Sequence, residues 1–405
     1  MRHNTLINPV TLFLLFFLLV LVSNCAKKIP PAPPTLLAVQ ESPELYDDLQ
    51  QEDLLTGAVR HLHYLNSLAD NSTFTLGEDT YSIAWLRESI TSFIDILRQD
   101  PDVDELARII DENYTLYQAA GRKESPPGEM LITGYYEPFL QGSLTREAPY
   151  LYPLYAPPES LLQIREADSG QMLFKRINNE NQLVPYWTRK EIETDGHAAG
   201  SEMVYLSDPV DAFILHVQGS GKIQLRDGSI RSIHYAASNG LEYFSIGKLL
   251  VDQGKMSLEE VSIPAIRAYL LAHPEEQKDI LHHNIKFIFF HWLPAGDPVG
   301  SLGEHLVAGR SIAIDPDALP HQTLAFLVTS KPVLDQDGNI TEWRPLRRFV
   351  FPQDTGSAIK GSGRADLFWG SGDYAKTAAG SMKETGKLYF LVKNNFEKQY
   401  NEGSN

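Results

Sequence analysis

The last third of the chain is a series of short apolar segments of strand length, separated by turns that contain glycine or proline. These segments are rich in branched and aromatic residues, which favour β-strands. They lie at residues 285–292, 311–314, 324–328, 348–351 and 388–392. Short strands without regular intervening helices favour a barrel or a sandwich over a doubly wound sheet. We therefore predict a mainly β fold with some helices.

The earlier part of the chain carries the helical patterns. Apolar residues recur at helical spacing in one stretch, at Trp85, Leu86, Ile90, Phe93, Ile94 and Leu97. Residues 245–253 and 264–272 also predict helices, and Ser262 supplies a start signal for the second. The apolar run before Gln218-Gly219-Ser220-Gly221 is interpreted as a strand that restarts at Lys222, with a hairpin turn at Asp227-Gly228. At 405 residues, two domains or one domain with a large insertion are expected.

Residues 353–372 concentrate the candidate chemistry. Asp354 and Asp366 lie twelve residues apart among five glycines, and the apolar run 367–369 follows Asp366 directly. An acid beside bulky apolar residues can have a raised pKa, which a general acid needs near neutral pH. The alternative is structural, because aspartates in glycine-rich loops commonly cap turns. Asp315 also follows a predicted strand, so the three acids could converge at one mouth of a small barrel.

Charge and motifs exclude several functions. The chain has 35 Lys and Arg against 52 Asp and Glu, a net charge of −17, which argues against a nucleic-acid partner. It contains no HExxH or CxxC metal motif, no GxSxG nucleophile elbow, and no GxGxxG or Walker loop. We therefore expect neither a metal nor another cofactor.

The N-terminus resembles a bacterial lipoprotein signal. Arg2 precedes an apolar run at residues 10–22, which ends near Cys25, the only cysteine. We expect residues 1–24 to be a signal peptide, Cys25 to be acylated, and residues 25–45 to form a proline-rich tether. By resemblance to enterobacterial sorting, Ala26 favours the outer membrane, with the protein facing the periplasm. Ordinary secretion without an anchor is the alternative.

Two reactions suit a cluster of carboxylates. Residues 354–357 read Asp-Thr-Gly-Ser, which matches the aspartic peptidase signature, but that mechanism needs two such acids and the signature occurs once. Glycosidic bond cleavage normally uses two carboxylates. A lyase can use one, if the sugar supplies its own hydroxyl as the nucleophile.

A set of ordered motifs resembles the membrane-bound lytic murein transglycosylase A family of Gram-negative bacteria. The first is Thr133-Gly134-Tyr135-Tyr136, and the others lie at residues 211–223, 243–250, 313–323 and 354–372. The last two are similar to the three-aspartate domain of that family, whose acids correspond here to Asp315, Asp354 and Asp366.

The resemblance implies a double-psi β-barrel built from residues 46–137 and 293–405, with the three-aspartate region at 305–393. It implies that residues 138–292 form an inserted β-rich domain and the other wall of a glycan groove. Thr133, Tyr135, Gln218, Gly219 and Ser220 fall on motifs that line this groove in the family.

The implied activity is cleavage of the β-1,4 bond between N-acetylmuramic acid and N-acetylglucosamine, with formation of a 1,6-anhydro ring. Asp366 corresponds to the single acid and base, and Asp354 and Asp315 to supporting acids. The implied partners are peptidoglycan glycan strands and, through acyl chains, the outer membrane; proteins of wall synthesis or division are not identified. A non-catalytic wall-binding lipoprotein is the alternative.

Overall fold

The computed structural model describes residues 34–39, 42–49, 51–166, 172–294 and 296–395. The predicted signal peptide (residues 1–24), the predicted lipidation site Cys25 and most of the proline-rich stretch lie outside these residues. Among the helices within them, none is both long enough and apolar enough to cross a membrane.

Strands predominate in the described residues. In chain order they are β1 (Leu36–Ala38), β2 (Thr73–Leu76), β3 (Asp79–Ser82), β4 (Tyr114–Ala119), β5 (Met130–Glu137), β6 (Phe139–Ser143), β7 (Tyr152–Tyr155), β8 (Leu162–Arg165), β9 (Met172–Ile177), β10 (Leu183–Pro185), β11 (Glu202–Leu206), β12 (Ser220–Leu225), β13 (Ile230–Ser238), β14 (Ile288–Leu293), β15 (Ser311–Ala313), β16 (Leu324–Leu334), β17 (Ile340–Asp354), β18 (Arg364–Ser371) and β19 (Lys383–Lys393). The helices are α1 (Gln51–Ser67), α2 (Ile83–Leu97), α3 (Val103–Asn113), α4 (Arg189–Asp195), α5 (Pro209–Gln218), α6 (Ile246–Asp252), α7 (Ile263–Ala272), α8 (Pro274–His283) and α9 (Asp373–Ser381). The predicted mainly β fold with some helices is confirmed.

Six strands close into a barrel. Their order is β19-β16-β17-β15-β18-β5, and β5 pairs with β19 to complete the ring. The pairs β15–β17 and β18–β5 are parallel, whereas the other four are antiparallel. Phe326, Phe349 and Phe390 on these strands are fully buried. Burial of such side chains contributes about 2–3 kcal/mol each, so the ring is a firm support for the loops at its ends.

The N-terminal segment packs on the barrel earlier than expected. Strand β1 pairs with β4, and both Leu36 and Leu45 are buried in the core. Asp47 forms a buried ion pair with Arg310, with 2.6 Å between Oδ2 and Nη1. Leu36–Ala38 and Leu45, which the prediction assigned to the tether, therefore pack against the folded domain.

Helix α2 covers the barrel as its apolar spacing predicts. The Ser82 hydroxyl accepts a hydrogen bond from Trp85 N–H and caps the helix start. The buried face consists of Ile83, Leu86, Ser89, Ile90, Phe93, Ile94 and Leu97. The ring of Phe93 lies 5.3 Å from that of Phe349 on β17, which joins the helix to the barrel core.

A second sheet is inserted between β5 and β15. Its order is β14-β13-β12-β6-β11-β7, with helices α5 to α8 packed nearby and a separate three-stranded sheet, β10-β9-β8. Its central apolar cluster includes Val204, Ile223, Ile233 and Phe290. The chain leaves the barrel after Glu137 and leaves this sheet after Leu293.

The strand predicted before Gln218 is a helix instead. Asp208 caps the start of α5 by accepting from Val210 N–H at 2.7 Å, and Pro209 occupies the first turn. Gly219 ends the helix with a φ of +81°, a conformation that favours glycine. The predicted hairpin at Asp227-Gly228 is confirmed, since β12 and β13 pair across it. The apolar run alone did not distinguish a buried helix from a strand, whereas its capping residues do.

Candidate active site

Three of the predicted site residues meet on one face of the barrel. Ala313 on β15 lies opposite Asp354 on one side and opposite Asp366 on the other. Asp366 in turn lies opposite Thr133 on β5. Residues directly opposite each other on neighbouring strands project to the same face. The register of β17, β15, β18 and β5 therefore places both acids and Thr133 in one row.

Asp366 lies within strand β18, not in the glycine-rich loop where we expected it. Its side chain is partly buried, and Oδ1 has no hydrogen-bond partner among the described residues. Burial raises the pKa of Asp366 to about 6; the Arg364 charge opposes this rise and the Asp354 charge adds to it. A carboxyl group with this pKa and a free oxygen can both give and take a proton near neutral pH.

Asp354 is held firmly at the end of β17. Its Oδ1 accepts from Ser301 N–H at 3.0 Å and from Thr355 N–H at 2.8 Å, and its Oδ2 accepts from the Tyr135 hydroxyl at 3.0 Å. Burial raises the pKa of Asp354, and these three donors oppose the rise. Both carboxylate oxygens are engaged, so Asp354 differs from Asp366 in having no free oxygen.

Tyr135 connects the acids to β5. Its ring packs against Phe368 with 5.1 Å between centroids, and its hydroxyl donates to Asp354. Burial, followed by the Asp354 charge, raises the pKa of Tyr135 well above its usual value. The hydroxyl therefore remains protonated and continues to donate.

Asp315 lies apart from the row. It is 6% exposed, and its Oδ2 accepts from Gly361 N–H at 2.7 Å. Its Oδ1 lies 3.5 Å from Lys360 Nζ. In the described structure no hydrogen bond joins it to either of the other two acids, and it does not contribute to the raised pKa of Asp366. Through its contacts with Gly361 and Lys360, Asp315 holds the loop at residues 355–363 in place.

The residues predicted on the inserted domain lie beside β5. Gln218 Oε1 accepts from Tyr136 N–H at 3.1 Å, so the end of α5 is joined to the strand that carries Thr133. A Cβ placed on Gly219 would meet no heavy atom within 4 Å, which marks an open surface at this turn. Ser220 begins β12 directly after it. These positions suit one wall of a groove next to β5.

A cavity of about 430 Å³ lies at the end of β18, beyond Asp366. Its walls include Arg60, Glu137, Lys222, Phe368 and Trp369, while Asp366 itself is not part of its lining. Its charged side chains and the rings of Phe368 and Trp369 could both contact a polar ligand. Within the described ranges, no group of three His, Cys, Asp or Glu side chains could hold a metal ion.

Comparison with known proteins identifies the family. Residues 131–291 match the family described as MltA specific insert domain, and residues 310–392 match the 3D domain. The membrane-bound lytic murein transglycosylase A of Escherichia coli K12 is 32% identical over 266 residues, which cover 65% of this chain and 66% of that protein. The structure of the lytic transglycosylase LtgG of Burkholderia pseudomallei is 32% identical, with a TM-score of 0.52; the match covers 90% of this chain and 97% of LtgG.

The chain belongs to the membrane-bound lytic murein transglycosylase A family. The predicted resemblance is thereby confirmed. A membrane-bound lytic murein transglycosylase from Agrobacterium tumefaciens is 29% identical and has a TM-score of 0.69, with 87% of this chain and 95% of that one covered. The fold of this chain is thus similar to that of the Agrobacterium tumefaciens protein.

The sequence of this lytic murein transglycosylase A family member did not single out Glu137 or Ser301 as site residues. Glu137 is 3% exposed and pairs with Lys222 on the inserted domain at 3.0 Å. Burial raises the pKa of Glu137, and Lys222 opposes the rise. Strand alternation could have revealed Glu137, since it shares a face of β5 with Thr133 and Tyr135. No sequence signal marks the Ser301 backbone N–H, because any residue could supply it.

Proposed function

We propose that this protein is a peptidoglycan lytic transglycosylase. It cleaves the β-1,4 bond between N-acetylmuramic acid and N-acetylglucosamine and leaves 1,6-anhydromuramic acid ends. The observation that carries the proposal is the Asp366 carboxyl group, which combines a pKa of about 6 with a free Oδ1. Membership of the family and the open groove wall at Gly219 support it.

The first step uses Asp366 as an acid. At pH 7 a group with a pKa of about 6 is about one-tenth protonated, which is enough for a general acid. Its proton passes to the glycosidic oxygen as the bond between that oxygen and C1 of the muramic acid breaks. The N-acetylglucosamine leaves with a free 4-hydroxyl group, and positive charge develops at C1 and the ring oxygen. The fixed carboxylate of Asp354 provides negative charge close to this centre.

The second step uses the same residue as a base. The Asp366 carboxylate accepts the proton of the C6 hydroxyl group of the muramic acid while O6 attacks C1. A bond between O6 and C1 closes the 1,6-anhydro ring, and Asp366 is protonated again. Water is neither consumed nor released, which separates this reaction from hydrolysis. Thr133, Tyr135, Gln218, Gly219 and Ser220 would contact the glycan, with Asp354 and Asp315 as supporting acids.

The geometry argues against an aspartic peptidase. Asp354 and Asp366 lie on β17 and β18, on opposite sides of β15, and among the described residues no hydrogen bond joins their carboxyl groups. A peptidase dyad needs two carboxyl groups about 3 Å apart that share a proton. An inverting hydrolase would instead need a second carboxylate that activates a water molecule. However, both oxygens of Asp354 are held by donors, so it is poorly suited to activate water.

The deciding experiment is a digest of purified sacculi, with the fragments analysed by mass spectrometry. We expect anhydromuramic ends, 18 Da lighter than the reducing ends of hydrolysis, and reducing ends would reject the lyase reaction. Asp366→Asn should bind sacculi and release no fragments. Asp373→Asn, an exposed position at the start of α9, is the matched control with unchanged activity. Sacculus binding by the wild type without soluble products would favour the non-catalytic binding protein.

We further propose that the ring is a double-psi β-barrel. Two parallel pairs, β15–β17 and β18–β5, within an otherwise antiparallel six-stranded ring support this assignment. An experimental structure in which the two parallel pairs are related by a pseudo-twofold axis would support the assignment. A ring without that relation would contradict it.

The cellular location is also a proposal. We propose that Cys25 carries acyl chains that anchor the protein in the outer membrane, facing the periplasm; both the anchor and the sorting signal lie outside the described residues. Two or three acyl chains would anchor the protein stably. Membrane fractionation of the wild type and of Cys25→Ser tests this. Wild-type protein in the soluble periplasmic fraction would refute the anchor.

A further inference from the structure

Arg364 stands two residues before Asp366 on β18 and therefore projects from the same face of the strand. Its Nη1 donates to the Ala358 carbonyl oxygen at 2.8 Å. Its Nη2 donates to Thr133 Oγ1 at 3.2 Å. One bond reaches the loop between β17 and β18, and the other reaches β5. A single guanidinium group thus joins three segments around the acid.

The charge of Arg364 acts on Asp366 without direct contact. Among the described residues, no ion pair within 4.0 Å links the two side chains, so Oδ1 of Asp366 remains free. The guanidinium charge nevertheless lowers the pKa of Asp366, opposing both burial and the Asp354 carboxylate. Arg364 therefore influences the acid without occupying the hydrogen-bonding capacity of its Oδ1.

One nitrogen of the Arg364 guanidinium group is in an unfavourable environment. Its Nε is buried and has no hydrogen-bond partner in the part of the chain that the structure describes. A buried donor without an acceptor is unfavourable, because it has lost its hydrogen bonds to water without replacing them. Residues that violate a stability rule next to a site commonly serve that site.

We propose that Arg364 is a positioning residue of this site, which holds Thr133 and the loop at residues 355–363 in place and balances the charge of Asp354 at Asp366. The inference rests on the proposed function, in which one carboxyl group must first donate and then accept a proton. Without the cation, Asp366 would hold its proton more tightly and would be a weaker acid in the first step. With a direct ion pair, Oδ1 would not be free.

The other elements that pack against β18 supply few competing charges. Strand β15 has no ionisable side chain, and β17 supplies Asp354. Strand β5 supplies Tyr135, whose hydroxyl stays neutral because its pKa is raised, and Glu137, which is paired with Lys222 at 3.0 Å. The buried residues of α9 are alanines and a glycine. Arg364 is accordingly the one cation in the described structure that acts on the pKa of Asp366.

The test measures the protonation of Asp366 independently of activity. A water-soluble carbodiimide reacts with protonated carboxyl groups, and mass spectrometry of the Asp366 peptide follows its labelling from pH 4.5 to 8.5. In Arg364→Gln we expect the midpoint of labelling to move up by about one pH unit, the lower end of the usual effect of a nearby charge. Arg364→Lys keeps the charge and should stay within about 0.3 of the wild-type midpoint. Arg108→Gln, which removes an exposed charge on α3, should not move it.

The positioning role has its own readout. The single ammonium group of lysine cannot donate to both the Ala358 carbonyl oxygen and Thr133 Oγ1 as the guanidinium group does. Arg364→Lys should therefore lose about tenfold in kcat at its optimal pH, although its labelling midpoint is unchanged. An unmoved midpoint in Arg364→Gln, or a full kcat in Arg364→Lys, would overturn the proposal. If Arg364→Gln does not fold, as judged by circular dichroism, the Arg364→Lys measurements still decide. A wild type that releases no anhydro ends would refute the proposed function, while the labelling would still report on Arg364.

Discussion

Replacing Asp366 with asparagine should make the protein more stable as well as inactive. The pKa of Asp366 is raised from 3.8 to about 6, mainly by burial, so the folded state binds this proton more tightly than the unfolded state. About 2 pKa units correspond to about 3 kcal/mol of unfavourable free energy when the group is ionised. Asparagine has a similar shape and does not ionise, so the substitution removes this penalty.

The stability difference between the wild type and Asp366→Asn depends on pH, because the folded and unfolded states bind the Asp366 proton with different affinities. Below about pH 4 the carboxyl group is protonated in both states, and the wild type and Asp366→Asn should be equally stable. Between pH 4 and 6 the unfolded state loses its proton first, so the wild type loses stability and the variant does not. Above about pH 6 the difference should be constant, at about 3 kcal/mol.

Thermal unfolding at pH 4 and at pH 7.5 measures the difference. With an unfolding entropy of about 2 cal/mol/K per residue over roughly 350 described residues, 3 kcal/mol corresponds to a Tm difference of about 4 °C at pH 7.5. Asp315→Asn is the control, because Asp315 accepts a hydrogen bond from Gly361 N–H and the change should not stabilise. An Asp366→Asn variant as stable as the wild type at both pH values would refute a buried carboxyl group with a raised pKa.

Three further predictions concern the supports of the site. Tyr135→Phe keeps the ring but removes the hydrogen bond to Asp354, so kcat should fall about tenfold while Tm changes by only a few degrees, as measured by sacculus turnover and calorimetry. Gly134→Ala would place a Cβ 2.6 Å from Trp369 Nε1, so we expect a loss of about 1–3 kcal/mol in denaturant unfolding, and an unchanged midpoint would contradict the packing. Gln218→Leu leaves the Tyr136 N–H of β5 without its acceptor. It should lower the free energy of unfolding by about 1–3 kcal/mol and weaken sacculus binding. Unaltered binding would exclude this contact from the groove.

The sequence predicted the fold class well because its strands are strongly patterned. The segments predicted at residues 324–328, 348–351 and 388–392 all lie within longer strands, β16, β17 and β19. Periodicity identified their apolar centres, but not the polar extensions that pair beyond the core. The helix at residues 209–218 was missed because its apolar run has no polar face to reveal a helical period.

The sequence identified the acidic residues of the site, but it did not predict how they are arranged. Asp354 and Asp366 were singled out from glycine-rich sequence, yet Asp366 lies in a strand, because β18 has partners on both sides, β15 and β5. The row they form depends on a register shift at Ala313, which no local pattern encodes. Arg364 was missed for the same reason, since its two acceptors come from segments distant in the chain or outside any strand.

The pH dependence of kcat/KM on purified glycan strands tests the central claim most directly. If one carboxyl group at position 366 donates the proton, kcat/KM should fall as the pH rises, with an apparent pKa near 6. A kcat/KM that is constant from pH 5 to 8, or one that falls with an apparent pKa near 4, would contradict the account.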